Sequence, residues 1–211
     1  MSASGLFITL EGVDGCGKST QVQLLRSCFE QASCKVLCLR EPGGTSISEA
    51  IRALVLDPAH TSMSSECELL LYEAARAQLV HEVIKPALAQ GCIVLCDRYF
   101  DSTYAYQYGG RKLAEDMVLR ANDLGSCGIV PHKTYVLDVD VACAYARATK
   151  TSVDRLEQEG LAFQQDVQKA YKKLARLQPQ RVTLISGEGT PQEVFSRLYA
   201  DIRKTFPKLP L

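Results

Sequence analysis

The sequence predicts an α/β fold in which a doubly wound, five-stranded parallel sheet is flanked by helices. Five short apolar runs alternate with longer segments that have helical periodicity. Each run is almost continuously apolar, as expected for a strand that is buried on both faces of a parallel sheet. The predicted strands are LFITLE (6–11), VLCLR (36–40), CIVLCD (92–97), TYVLDV (134–139) and VTLIS (182–186).

Apolar residues at helical spacing predict six helices between and after these strands. They are expected at about 18–32, 46–56, 66–90, 113–124, 141–176 and 191–204. Because glycine often ends helices, Gly91 and Gly125 are predicted stops, and GGR (109–111) and GSCG (125–128) are predicted flexible loops. No Pro-, Gly- or Ser-rich linker divides the chain, which is therefore predicted to form one domain over residues 1–211.

The charge and cysteine content argue against several classes of function. Among 211 residues, 24 Lys and Arg balance 24 Asp and Glu, so no overall field favours a nucleic acid or an anionic membrane. The nine cysteines are scattered and follow no signal peptide, which predicts reduced thiols and a cytoplasmic protein. No apolar run approaches about 18 residues, the length of a transmembrane helix. The spacing of Cys92 and Cys96 matches no zinc site.

The strongest single motif is the glycine-rich stretch EGVDGCGKST at residues 11–20. Its spacing, G-x-x-x-x-G-K-S between a predicted strand and a predicted helix, is that of a loop whose backbone N–H groups surround nucleotide phosphates. Lys18 is expected to reach the β- and γ-phosphates, and Ser19 to ligate Mg²⁺. The residues predicted to bind the nucleotide are Gly12, Val13, Asp14, Gly15, Cys16, Gly17, Lys18, Ser19 and Thr20.

Asp14 is an anomaly within this loop, because a carboxylate repels a polyphosphate. One interpretation is that its side chain points away from the phosphates and accepts a hydrogen bond from a neutral group beside them. The other is that it shapes the loop by capping backbone N–H groups, as Asp often does in turns. Both interpretations agree with the sequence.

Polar and glycine-rich segments follow four of the five predicted strands. They are the glycine loop, EPGGT (41–45), Asp97-Arg98 with the YFDSTYAYQYGGR segment, and GEGT (187–190). Each one alone is typical of an ordinary turn, but in a parallel sheet all four meet at the edge where ligands bind. Asp97 suits the hydration shell of Mg²⁺, and the guanidinium of Arg98 suits a phosphate.

The predicted helix 66–90 carries a charge on its apolar face. Leu69, Leu79 and Val83 belong to a stripe at helical spacing that also includes Tyr72 and Arg76. Arg76 either extends to solvent, pairs with a buried acid, or lines a pocket together with Tyr72, four residues earlier. A flat ring beside a guanidinium suits a nucleobase. The hydroxyls, tyrosines and amide of STYAYQ (102–107) fit the same pocket or ordinary packing.

Taken together, these segments resemble the thymidylate kinase family of the bacterial kind, whose fold is that of P-loop NTPases with a mobile helical lid. The resemblance covers nearly the whole chain and rests on FITLEGVDGCGKST, REPGGT, LLYEAARAQ, IKPAL, DRYFDSTYAYQ and DRLEQEG, in family order and spacing. It implies transfer of the γ-phosphoryl of ATP to dTMP, giving dTDP and ADP, with Mg²⁺ as cofactor. It also implies a homodimer packed through core helices.

The resemblance also implies roles for individual residues, carried over by position. Tyr72 takes the place of the ring that stacks on thymine and Arg76 that of its hydrogen-bonding partner, while Gln107 and Ser102 fall at base-contact positions. Arg98 matches the arginine on the acceptor phosphate and Tyr106 the ring that crowds a ribose 2′-OH. Further implied assignments are Arg40 and Glu41 near the phosphoryl path and Mg²⁺, Pro42 as a pocket wall, and Asp14 beside the acceptor deoxyribose.

The predicted lid, at about 141–160, departs from the commonest pattern. The family needs a cation to meet charge that develops on the transferred phosphoryl, either in the glycine loop or in the lid. The loop here has Gly15 and Cys16 and no arginine, so the lid should supply it. The candidate catalytic cations are therefore Lys18 and Arg98 in the core with Arg147, Lys150 and Arg155 in the lid, although lid charges also suit a solvated helix face.

Three alternative functions share the glycine loop. A kinase for another nucleoside monophosphate or a deoxynucleoside is disfavoured by Tyr72 and Arg76. A GTP-binding switch normally needs an Asn-Lys-x-Asp guanine motif, which the sequence lacks. A catalytically silent nucleotide-binding module is disfavoured because Lys18, Ser19 and Asp97 are all present. By the resemblance, SGEGT (186–190) occupies the adenine-edge loop but lacks its commoner Asp-Ala start, which leaves the base preference at the donor site open. ATP is the default expectation as donor.

Overall fold

A five-stranded parallel sheet forms the centre of the molecule, as predicted. The computed structural model describes residues 5–150 and 154–210. The strands are β1 (Leu6–Glu11), β2 (Val36–Arg40), β3 (Ile93–Asp97), β4 (Lys133–Asp138) and β5 (Val182–Ser186). Each agrees with its predicted range to within one residue at either end, because unbroken apolar runs of this length specify strands buried on both faces.

Helices cover both faces of the sheet. They are α1 (Lys18–Gln31), α2 (Ser46–Leu56), α3 (Ser65–Leu79), α4 (Lys85–Ala89), α5 (Phe100–Thr103), α6 (Glu115–Ser126), α7 (Val141–Ala148), α8 (Leu161–Leu177) and α9 (Pro191–Thr205). A π-helical turn, Val80–Ile84, joins α3 to α4, so the predicted helix 66–90 is confirmed as one rod. It stops before Gly91, whose φ is 77°. No helix among the described residues has the length and apolarity needed to cross a membrane.

The strand order β2-β3-β1-β4-β5 brings three of the predicted segments together. Because β1 lies between β3 and β4, the glycine loop after β1 is adjacent to the residues that follow β3. Both Leu10 and Arg40 are paired with Asp97. The N–H of Arg98 donates to the Leu10 carbonyl, and that of Glu41 to the Asp97 carbonyl. The ends of β1, β2 and β3 are therefore in register at one edge, where ligands bind in such sheets.

Alternate residues of the strands enter two apolar clusters. In β1, Phe7 packs into one cluster, whereas Ile8 and Leu10 pack into the other. Val94 and Cys96 of β3 join Phe7. Burying one such side chain stabilises the fold by about 1.5–3 kcal/mol, so both clusters hold the sheet edge rigidly in place.

The single helix predicted over 141–176 is wrong. The structure divides this segment into α7 and α8, with turns at 149–150 and 155–156 and a 3₁₀ turn at Glu157–Glu159 between them, while residues 151–153 of the predicted helix and lid lie outside the described residues. Gly160 stands immediately before α8 with φ 86° and ψ 179°, a conformation that breaks a helix and that only glycine adopts readily. Helical periodicity continues across the break, which explains the prediction.

The prediction that Gly125 ends a helix is also wrong. Helix α6 continues to Ser126, and Cys127 adopts the left-handed conformation after it, with φ 49°. A Cβ atom on Gly125 would lie 1.9 Å from Oε2 of Glu73. Gly125 is thus a packing residue that lets α6 approach α3, and the stop lies two residues later.

Residues 100–110 are helical, which the sequence did not indicate. α5 continues through a π-helical turn, Tyr104–Gly110. Gly109 and Gly110 are therefore helical, and the prediction of a flexible loop at GGR is wrong for these two residues. A Cβ on Gly109 would lie 2.5 Å from Cβ of Ala170 on α8. The glycines permit close packing of two helices, and this packing aims the side chains of Ser102, Tyr106 and Gln107.

Candidate active site

The glycine loop forms a cradle around the buried ammonium group of Lys18. Gly17 has φ 99° and precedes the first residue of α1, so backbone N–H groups of this helix start face the cleft. Nζ of Lys18 donates to the carbonyls of Gly12, at 3.1 Å, and Val13, at 3.0 Å. The lysine is 6 % exposed. These bonds hold the cation beside the cleft where phosphates are expected.

The neighbouring pair Ser19 and Asp97 supplies oxygen ligands. Oγ of Ser19, at the start of α1, donates to Oδ2 of Asp97, at the end of β3, over 2.6 Å. Magnesium takes such hard oxygen ligands and completes its octahedron with water and phosphate oxygens. Glu41 lies on the same cleft, and its Oε1 is buried without a hydrogen-bond partner among the residues described. The predicted metal residues therefore fit a magnesium ion.

Side chains from outside the glycine loop hold the carboxylate of Asp14. Its Oδ1 accepts from Arg98 Nη2 at 2.6 Å, and its Oδ2 accepts from the hydroxyl of Tyr106 at 2.8 Å. The Gln164 amide donates to Oδ2 from 3.3 Å. Burial opposes the charged form, but the nearby Arg98 and Lys18 lower the pKa of Asp14 to about 2. In the described part of the chain its hydrogen bonds go to side chains, so the loop-capping interpretation receives no support.

Arg98 is held at the sheet edge in a left-handed backbone conformation, with φ 73°. Such a conformation costs energy for a residue other than glycine and persists only when its surroundings fix it. Its Nη1 donates to the Gly12 carbonyl and to Oγ of Ser102, both at 3.1 Å. The guanidinium is thus aimed between the glycine loop and helix α5.

Buried Glu11 holds the turn around Arg98 through hydrogen bonds. Its Oε1 accepts from the N–H of Tyr99, and its Oε2 accepts from the hydroxyls of Ser102 and Tyr171. Burial, together with the charge of Asp101, raises the pKa of Glu11 to about 7. The acid therefore fixes the residues on both sides of Arg98.

Two clefts meet at Arg98. The first, which we call the acceptor cleft, has about 480 Å³ of space free of protein atoms. Its lining includes the predicted residues Asp14, Glu41, Pro42, Tyr72, Arg98, Ser102, Tyr106 and Gln107. The second, which we call the phosphate cleft, is lined by the glycine loop together with Arg40 and Asp97. Asp14, Glu41, Arg52 and Arg98 line both clefts.

Arg76 is placed behind the acceptor cleft and not in its lining. It is 2 % exposed. Its Nε donates to Glu41 at 2.8 Å, its Nη1 to Glu73 at 2.5 Å and its Nη2 to Thr103 at 3.0 Å. Of the three interpretations of the sequence, pairing with buried acids describes this state. Burial by itself would lower the pKa of Arg76. The two glutamates outweigh this effect and raise the pKa well above its ordinary value.

The ion pair with Arg76 also affects the charge state of Glu41. Burial raises the pKa of Glu41 to about 7, against the opposing charge of Arg76. A cation beside the unpartnered Oε1 would favour the ionised form. The placement of Glu41 between two clefts, with one oxygen held by Arg76 and one free, suits a residue near the phosphoryl path.

The three predicted lid cations differ in their surroundings. Arg155 is 6 % exposed, and its Nη2 lies 2.5 Å from Oε2 of Glu68. Its charge is therefore buried in an ion pair and does not face solvent. Arg147 and Lys150 are exposed, and Nε of Arg147 donates to the Cys143 carbonyl of its own helix. Arg40, also predicted near the phosphates, pairs with Glu49 at 2.9 Å on the rim of the phosphate cleft.

The first lid helix touches the glycine loop. A Cβ on Gly15 would lie 2.1 Å from the carbonyl oxygen of Ala144 in α7, and the residue has φ 74°. A side chain at this position is therefore excluded while α7 packs here. The glycine loop carries no arginine of its own, and the helix that packs against it carries Arg147.

Several residues of the site were not predicted. Arg52, Leu56, Asp154 and Leu156 also line the acceptor cleft, next to Thr103 of the predicted STYAYQ segment. Glu68, which lies behind it, is fully buried and binds Gln107. One signal could have revealed Glu68, since it stands four residues before Tyr72 and so occupies the same helix face. Arg52 on α2 and Asp154 in the turn before Glu157–Glu159 gave no signal, because their placement at the cleft depends on tertiary packing.

Comparison with known proteins agrees with this geometry. A family model described as "Thymidylate kinase" matches residues 10–198. A thymidylate kinase of Lacticaseibacillus casei is 44 % identical over 98 % of this chain and 99 % of its own length. One of Synechococcus sp. is 45 % identical over 98 % and 97 % of the two chains.

A solved structure is similar as well. The crystal structure of thymidylate kinase from Ehrlichia chaffeensis superposes with a TM-score of 0.77 at 30 % identity, covering 94 % of this chain and 99 % of the other. The family match thus spans the glycine loop, both clefts and the lid, and the chain belongs to the thymidylate kinase family.

Proposed function

We propose that the protein is an ATP-dependent dTMP kinase. The observation that carries this proposal is the junction of the two clefts at Arg98. A nucleotide whose base lies between Tyr72 and Gln107 reaches the junction with its 5′-phosphate, opposite a γ-phosphate held by the glycine loop. The two phosphates would then face each other across one guanidinium.

In this reaction a 5′-phosphate oxygen of dTMP attacks the γ-phosphorus of ATP, and the bond between that phosphorus and the β,γ-bridging oxygen breaks. The products are dTDP and ADP. Such a transfer needs alignment and charge neutralisation and no nucleophilic side chain. Lys18 would neutralise the donor phosphates and Arg98 the acceptor phosphate, while Asp14 and Tyr106 hold Arg98 in place.

Magnesium is the proposed cofactor, held by Ser19 and Asp97 with Glu41 nearby. When bound, it would neutralise negative charge on the donor phosphates and on the transferred group. The hydroxyl, the carboxylate and the unpartnered Oε1 of Glu41 support this choice of a hard cation. The chain's own contribution is to keep these oxygens at the mouth of the glycine loop.

The lid is proposed to move and to deliver the remaining cation. Arg147 and Lys150 are exposed, and α7 already contacts Gly15. Closing over both nucleotides would bring a positive charge to the γ-phosphate and exclude water, which protects ATP from hydrolysis.

We infer a homodimer from exposed apolar side chains on three adjacent helices. Helix α3 packs against both α2 and α6. The exposed fractions are 52 % for Ile47 and 42 % for Leu54 on α2, 63 % for Leu70 on α3, and 41 % for Met117 and 77 % for Leu124 on α6. Apolar surface concentrated on one layer is typical of an interface. A cytoplasmic location is proposed as well, because all nine cysteines are free thiols.

An acceptor panel tests the proposed activity. Wild-type protein with ATP and Mg²⁺ is given dTMP, dUMP, dCMP, dGMP and dAMP, and kcat/KM is measured for each. We expect dTMP to be the best acceptor. A higher kcat/KM for any other monophosphate contradicts the proposal, and turnover of ATP that does not depend on an acceptor contradicts the kinase assignment.

A further inference from the structure

Glu68 is a fully buried acid that touches neither cleft. It belongs to α3, one turn before Tyr72. Its Oε1 accepts from Nε2 of Gln107 at 2.7 Å and from Nε of Arg111 at 3.1 Å. Its Oε2 accepts from Nη2 of Arg111 at 2.9 Å and pairs with Arg155 at 2.5 Å. Two guanidinium groups thus compensate one carboxylate.

This contact determines how the amide of Gln107 is oriented. An ionised carboxylate only accepts hydrogen bonds, so the NH₂ group of Gln107 must face Glu68. The carbonyl oxygen Oε1 must then face the other way. Gln107 is 1 % exposed and lines the acceptor cleft. Within residues 5–150 and 154–210, Oε1 has no hydrogen-bond partner.

We propose that Glu68 is a positioning residue for base specificity: it locks Gln107 so that a hydrogen-bond acceptor faces the base in the acceptor cleft. The proposal rests on the proposed function, since it concerns the base of the acceptor nucleotide. A base that presents a ring N–H to Gln107, as thymine does at N3, gains a hydrogen bond. Cytosine presents an unprotonated N3 there, so two acceptors meet and the nucleotide is rejected.

A freely rotating glutamine would not discriminate in this way. Its amide offers a donor on one side and an acceptor on the other, so rotation would satisfy either base. Selectivity requires that one orientation be fixed, and a buried carboxylate with no donor of its own fixes it. The Arg111 and Arg155 contacts make this possible, because they keep a negative charge in a site shielded from water.

The test compares two acceptors that differ only at the edge in question. dTMP and 5-methyl-dCMP share the methyl group, sugar and phosphate, and differ in the N3 and C4 substituents. Replacing Glu68 by Gln alone leaves two arginines facing a neutral group, so the double variant Glu68→Gln/Arg155→Met is compared with Arg155→Met alone. The two variants then differ only at residue 68, where the carboxylate is replaced by a neutral amide that can also donate.

We expect the ratio of kcat/KM for dTMP over 5-methyl-dCMP to be the same in Arg155→Met as in wild type, even where the rate itself changes. In the double variant the ratio should fall at least about tenfold, because the amide of Gln107 is free to turn and accommodate the cytosine edge. Glu66→Gln, an exposed acid two residues earlier on the same helix, is the matched control and should leave both values at the wild-type level.

An unchanged ratio in the double variant relative to Arg155→Met overturns the role of Glu68. This outcome is distinct from failure of the proposed function, which would appear as poor use of dTMP by the wild-type protein. An equal loss with both acceptors also overturns the proposal, because a purely structural role of Glu68 would weaken both in proportion.

Discussion

The ion pair of Asp14 and Arg98 sits where the two clefts meet, and this position gives Asp14 a second possible partner. Its carboxylate stays ionised at neutral pH, since Arg98 and Lys18 lower its pKa to about 2 against the effect of burial. It faces the acceptor cleft, next to Tyr106. We expect it to accept a hydrogen bond from the 3′-OH of the acceptor deoxyribose.

A double-mutant cycle tests this contact. Asp14→Ala should reduce kcat/KM for dTMP more than for 3′-deoxy-dTMP, with a difference of about 1.5–3 kcal/mol for a hydrogen bond to an ionised group. Part of the loss will be common to both acceptors, because Arg98 also loses its partner. Equal losses on the two acceptors would show that Asp14 acts only through Arg98.

Arg76 lies among two glutamates, so its removal is expected to act on stability first. Arg76→Ala leaves Glu41 and Glu73 buried without a cation. Breaking a buried pair in this way costs about 3–5 kcal/mol. Urea denaturation should therefore show a large fall in the free energy of unfolding, and weaker use of dTMP would follow from displacement of Glu41.

Arg120→Ala is the matched control for that measurement. Arg120 pairs with Asp116 on α6, where both side chains are mostly exposed, and such pairs contribute little to stability. Its unfolding curve should overlay that of the wild type. If Arg76→Ala unfolds at the same urea concentration as the control, the buried network is not a stabilising element.

At the scale of elements, the proposed lid is the segment whose chemistry would depend on a change of position. α7 contacts the glycine loop at Gly15 and carries Arg147, and Lys150 follows it. Arg155, by contrast, is engaged with Glu68 in the core. The exposed cations are therefore better placed than Arg155 to meet charge that develops in the transition state.

We expect Lys150→Met or Arg147→Met to lower kcat by about a hundredfold with little change in KM for either nucleotide, because the charge is needed mainly in the transition state. Steady-state kinetics with both substrates varied measure this. Lys204→Met, at an exposed position of α9, is the control. A rise in KM with unchanged kcat would assign the lid charges to ground-state binding.

At the scale of the whole molecule, the exposed apolar residues on α2, α3 and α6 predict self-association. Leu70→Glu places a charge at the centre of this layer and should convert the dimer to monomer in sedimentation velocity. Leu177→Glu is the control, since Leu177 is similarly exposed, at 61 %, on α8. A wild-type protein that sediments as a monomer, or a control that dissociates equally, would contradict the proposed interface.

Much of the fold was predictable because its signals are local. The five strands are short, continuously apolar runs, and the glycine loop has a fixed spacing, so each is specified within about ten residues of sequence. The break between α7 and α8 was not predictable in this way. Helical periodicity continues past Gly160, and the turn depends on contacts of Arg155 with Val55 and Glu68, which lie far away along the chain.

The sequence by itself determined the α/β order, the glycine loop with Lys18 and Ser19, and the set of side chains that gather at the carboxyl ends of β1, β2 and β3. Only the tertiary structure decided which of them face the clefts. Arg76 pairs with Glu41 and Glu73, and Glu68 accepts a hydrogen bond from Gln107. The physical reason is that a buried charge must find its partner in space: Glu41 lies 35 residues from Arg76 along the chain, and Gln107 lies 39 residues from Glu68.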